Sequence, residues 1–244
     1  MSDRWATVGL QIGDISHFGR FVVDNIPAFS ATGLVMFSLQ SIFSKGDRFQ
    51  KLLVQAAAET HESVRLVNEL IKSPRDTKKF DDLVMVRRKE KKISEQISEE
   101  LVRTFVTGLE REDIEALAHG LYRIPKTAEK LAERFLLAVP HLPGVDFGKQ
   151  ADMMLRATDV VLAMIKQLES MADLEKIKAL NDKLQFIEGE ADRYMMDVLR
   201  ELYSGRHEAI RAIVLRDIYE LIEKVVDRCR DVGNVVMHIV LKNS

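Results

Sequence analysis

Carboxylates four residues apart on a helix stand on adjacent turns of one face, where their oxygens can share a cation. The sequence does this twice toward its C-terminus. Glu188 and Asp192 lie in IEGEAD (187–192), with Glu190 between them. Glu223 and Asp227 follow, with Asp231 one turn further on. Oxygen donors so arranged suit hard or borderline cations. Like charges at this spacing also repel, by roughly 0.2–0.5 kcal/mol per pair. The six acids therefore read in two ways, as solvated helix faces or as two walls of a cation site. The second reading needs their helices to pack as antiparallel neighbours, so that the pairs face each other.

A basic run, RRKEKK (87–92), is the other charged cluster. Arg87, Arg88, Lys89 and Lys91 could contact an anion or the acids of a partner chain, or they form a solvated face. No phosphate-binding glycine loop, nucleophile elbow or H-E-x-x-H zinc motif occurs. His61 with Glu59 and Glu62 offers ligands that a surface helix explains equally well. Cys229 falls on an apolar stripe and reads as a buried core thiol. No residue is nominated as catalytic.

The elements that must position these groups are helices. The chain has 244 residues, enough for one large domain or two small ones. It is 46% hydrophobic and 30% charged, with only 12 Gly and 5 Pro, which permits long uninterrupted helices. A net charge of −2 argues against a polyanion-binding surface over the whole protein, and no nucleic-acid partner is expected. The single cysteine excludes an intrachain disulfide and fits a reducing compartment. Charges interrupt the N-terminus, so it does not read as a secretory signal. The uncharged stretch 25–44 has the length of a membrane span. Pro27, Gly33 and several hydroxyl residues leave it equally readable as a docking segment or as a segment folded onto its own bundle.

Apolar periodicity predicts helices over about 48–72, 76–106, 110–138, 146–171, 173–203 and 208–241, the third kinked near Pro125. On the last helix the apolar stripe is Ile218, Ile222, Val225, Cys229, Val232 and Val236. The acids lie nearly opposite it, which predicts a site at the bundle surface. The break Pro140-His141-Leu142-Pro143-Gly144 divides three helices from three. A shift of 101 residues superimposes the halves without a gap: Ile93 falls on Tyr194, Leu117 on Ile218, Leu121 on Ile222 and Phe135 on Val236. Under this shift Glu188 falls on Arg87, Asp192 on Lys91, Glu223 on Tyr122, Asp227 on Lys126 and Asp231 on Lys130. A cation site in the second half thus has no equivalent in the first.

From about Ser41 onward the chain resembles the PhoU-like phosphate transport regulators, in particular the shorter branch associated with low-affinity inorganic phosphate transporters. The residues that carry the resemblance are SIFSKGDRF (41–49), LVRTFVTGLEREDI (101–114), FIEGEADRY (186–194) and VLRDIYELIEKVVDRCRDVGNVV (214–236). It implies an all-α fold of six long helices, arranged as two pseudo-repeated three-helix bundles with an N-terminal extension. The boundaries expected are 1–45 for the extension, about 46–141 for the first repeat and about 142–244 for the second. It implies an iron or zinc cluster held by Glu188, Asp192, Glu223 and Asp227, with Asp231 an extra candidate. It further implies a non-enzymatic, cytoplasmic regulator, peripheral to the inner membrane. That regulator would contact a phosphate transporter or a signalling protein there and form a homo-oligomer. A metal-free helical scaffold and a metal-dependent hydrolase of phosphate esters or polyphosphate are the alternatives.

Overall fold

The computed structural model describes the backbone of residues 31–74, 77–169 and 173–243, and the side chains of 48–74, 78–168 and 173–243. Residues 1–30 lie outside it. With them go most of the extension read over 1–45 and part of the uncharged stretch 25–44. Contacts divide the chain into Met1–Gln40 and Ser41–Ser244. Everything below concerns the second unit.

The chain is all-α. Six helices account for the described fold: α1 (Ala31–Lys72), α2 (Thr77–Arg103), α3 (Arg111–Ala138), α4 (Gly148–Glu169), α5 (Leu174–Leu202) and α6 (Ala209–Lys242). A single 3-10 turn, Val139–His141, fills the proline-rich break after α3. Helix α1 begins earlier than the periodicity suggested. Gly46 lies inside it, at a cost of about 1 kcal/mol relative to alanine. Carboxylates fix two other starts. Asp173 accepts from the amides of Glu175 and Lys176 at the head of α5, and Glu208 accepts from those of Ile210 and Arg211 at the head of α6.

Helix α3 runs unbroken through Pro125. Proline has no N–H for the carbonyl four residues back, that of Leu121. The Thr60 hydroxyl of α1 donates to that carbonyl at 3.2 Å, so a tertiary contact replaces the missing helical bond.

The two helices that the repeat makes equivalent, α3 and α6, are each other's principal neighbours. Ile114, Leu117, Leu121, Ile124, Ala128, Leu131 and Phe135 are buried along α3. Leu215, Ile218, Ile222, Val225, Cys229, Val232 and Val236 are buried along α6. Both series alternate steps of three and four, the stripe of knobs-into-holes packing. The helices are antiparallel and tied at both ends. Lys242 at the end of α6 meets Glu110 and Asp113 at the start of α3, and Arg211 donates to the Pro143 carbonyl at 2.8 Å. Helix α6 also packs against α4 and α5, so only a narrow strip of it reaches solvent.

Candidate metal centre between α5 and α6

Helices α5 and α6 are antiparallel neighbours, as the paired-acid reading requires. Arg230 of α6 donates to Asn181 of α5 at 2.6 Å near one end of the seam. Further along it, Asp192, Glu223 and Asp227 converge, each with a carboxylate oxygen within 4.8 Å of the others. Asp192 is exposed, while Glu223 and Asp227 are half-buried. That is deeper than a position opposite the apolar stripe suggested. The reason is the crowding of α6: Glu223 borders a crevice lined by Met153, Ala191, Tyr194, Met195 and Tyr219.

The electrostatics follow from that placement. Burial, reinforced by the charges of Asp227 and Asp192, pushes the Glu223 carboxyl up to about 7. Burial together with Asp192, Glu188 and Asp231 also raises Asp227 above the usual range. The two carboxyls interact so that a shared proton favours Glu223, raising it further and partly offsetting the rise at Asp227. Among the described residues no Lys or Arg nitrogen lies within 4.0 Å of Glu188, Asp192, Glu223 or Asp227. The cluster has three converging acids, a fourth close by, and no base of its own. As a donor set, oxygen-only carboxylates fit a hard cation.

The other predicted acids are otherwise engaged. Asp231 accepts from Arg228 at 2.9 Å and lies 3.7 Å from Arg123, so its charge is already balanced. Glu190, although inside IEGEAD, turns to α4 and meets Arg156 at 3.1 Å and Lys149 at 3.7 Å. Glu188 contributes to the field at Asp227 but is not one of the three that converge.

The equivalent place in the first half is built with the opposite sign. Arg87, read from the sequence as a surface contact, is instead 8% exposed. It pairs with buried Glu90, lies 3.3 Å from Glu129, and stacks 4.4 Å over the Tyr122 ring. Lys126 approaches the same ring from 5.9 Å. Arg88, Lys89 and Lys91 remain exposed. So the first half carries a covalently attached cation where the second half carries only acids. Sequence reasoning identified Arg87 but not its internal partners, Glu90 and Glu129. A glutamate three residues after a basic position was the available signal. His61 is also engaged, 2.7 Å from Asp159 of α4. Cys229 is fully buried and its thiol is pushed far above its ordinary value, which removes it as a nucleophile.

No protein-family model matches the chain. UPF0111 protein YkaA of Bacillus subtilis (strain 168) is 25% identical over 202 residues, covering 82% of this chain and 98% of that protein. A Rhizobium meliloti (strain 1021) protein that bears the name pit accessory protein is 23% identical over 210 residues, covering 84% of this chain and 97% of its own. Among solved structures, a PhoU-like protein from Shewanella oneidensis MR-1 superimposes with a TM-score of 0.69 at 14% identity, over 79% of this chain and 99% of that one. A second chain from that organism, described as a PhoU-like phosphate regulatory protein, gives 0.68 at 13%, over 80% and 99%. The resemblance read from the sequence is therefore borne out, and this chain is PhoU-like in fold.

Proposed function

We propose that this protein regulates inorganic phosphate transport by contact with a membrane transporter or a signalling partner, and that it holds a cation between α5 and α6. The transport reading is supported by the pit accessory relative, nearly all of whose length the chain matches. The observation that carries the cation reading is the convergence of Asp192, Glu223 and Asp227 with no basic side chain among them. Three carboxylates gathered without a counter-charge repel one another, and a bound cation removes that repulsion. Asp192, Glu223 and Asp227 would hold it, with Glu188 beside them. Iron or zinc is what the family resemblance implies. When bound, the cation would crosslink the two helices and stiffen the second half, with no chemical reaction required of it.

A metal-free scaffold is the second reading. It is favoured by the interaction between Glu223 and Asp227, which lets the cluster satisfy itself with a shared proton. No helix among the described residues is long and apolar enough to cross a membrane, so the account needs docking at the membrane rather than insertion. The test is phosphate uptake through a low-affinity transporter in cells that carry or lack this chain. A change in uptake on deletion, restored by the intact chain, supports regulation. Unchanged uptake, or uptake restored only in step with phosphate-ester hydrolysis by the purified protein, overturns it.

A further inference from the structure

An open groove of about 620 Å³ runs between the solvent faces of α3 and α6, and six cations line it: Arg123, Lys126, Lys130 and Arg134 from α3, Lys224 and Arg228 from α6. Two acids, Glu129 and Glu133, lie among them. Arg123 and Arg228 are held by Asp231, and Glu129 lies beside Arg87. The other four make no ion pair: among the described residues no carboxylate lies within 4.0 Å of Lys126, Lys130, Arg134 or Lys224, although Lys126 approaches the Tyr122 ring and Lys224 acts on Glu223 at longer range. Lys126, Lys130 and Arg134 recur every fourth residue, so they form a row of roughly 12 Å at 1.5 Å rise per residue. Lys224 and Arg228 repeat that spacing on α6. Each adjacent pair costs roughly 0.2–0.5 kcal/mol in repulsion. Opposed rows of this kind concentrate an anionic ligand between them.

We propose that this groove is a binding site for a soluble linear polyanion of the phosphate-chain type. The groove's shape and lining choose the occupant. Its cations recur along both helices, whereas a single small anion needs only one or two of them. Its apolar lining is limited to Leu221 and the ring of Tyr122, which Arg87 already covers. An acidic protein segment would need apolar pockets for anchoring side chains, and the groove supplies none. The planar guanidinium of Arg134 suits paired phosphate oxygens. The groove adjoins the acid cluster, since Lys130, Arg134 and Lys224 also border a crevice that Glu223 and Asp227 line.

Calorimetric titration of the full chain with sodium tripolyphosphate, at low salt and without divalent metal, tests this. Binding is expected. Lys130→Gln/Arg134→Gln should weaken it more than tenfold, and so should Lys126→Gln/Lys224→Gln, in variants whose thermal melts match the parent. Lys166→Gln, exposed on α4, should leave it unchanged. Added salt should weaken it steeply. No binding to the parent chain, binding by either groove variant as tight as the parent's, tighter binding of an oligoglutamate of equal charge, or binding only to phosphatidylglycerol vesicles would each overturn the proposal.

Discussion

Glu223 carries a proton at a pH where an ordinary glutamate has lost it, because it is half-buried beside two other acids. The consequence for stability has a definite sign. Between about 4.5 and about 7 the folded chain binds a proton at Glu223 that the unfolded chain has released, so stability falls as pH rises through that window. Glu90, raised to about 7 by burial against the pull of Arg87, adds a slope of the same sign. Urea unfolding of Glu223→Gln across that range should show a shallower decline than the parent, with the share due to Glu90 remaining. An unchanged slope would contradict the assignment. Arg87→Leu leaves Glu90 buried without its partner and should cost about 3–5 kcal/mol above pH 7, and less below it, where Glu90 is neutral. Arg88→Ala, exposed one position away, should stay within about 0.5 kcal/mol. At this scale the sequence was half legible. Spacing picked out the Glu223/Asp227 pair as facing IEGEAD across a seam, but not how deep it lies. Depth depends on how many helices surround α6, and no spacing encodes that.

Helix α6 is the element on which the account turns, since it faces α3, α4 and α5 and holds two of the three converging acids. Close approach is built in with glycine. A Cβ at Gly120 of α3 would lie 2.8 Å from a Val232 methyl of α6, and one at Gly233 would lie 2.6 Å from a Leu184 methyl of α5. Val232 is β-branched and cannot swing aside. Gly120→Ala should therefore destabilise by about 1–2 kcal/mol despite the better helix propensity of alanine. Gly189, in the middle of IEGEAD, has open space around it. There the same substitution should stabilise by about 0.5–1 kcal/mol, as read from thermal melting. Both glycines going the same way would contradict the packing described. Helix existence and ends were largely legible, because apolar periodicity and the breaks at Ser73-Pro74, 140–144 and Ser204-Gly205 are written locally. One helix through Pro125 was legible too, but not the repair of its missing bond, which is a hydroxyl from another helix, Thr60.

The molecule as a whole is a repeat whose halves differ in charge at equivalent places. One half keeps a guanidinium inside a cage of Glu90, Glu129 and Tyr122. The other gathers Asp192, Glu223 and Asp227 with no base in ion-pair contact, Lys224 only tempering the field at Glu223. The shift of 101 residues made that contrast visible in the sequence: the first half supplies its own cation, and on the proposed reading the second obtains one from solution. Metal content per chain tests this most directly, measured by elemental analysis of protein purified without chelator and loaded near pH 8, where Glu223 has lost its proton. The account predicts bound metal in the parent, retained in Arg88→Ala and lost in Glu223→Ala/Asp227→Ala. A metal content near zero in the parent, or one unchanged in the double variant, would contradict it.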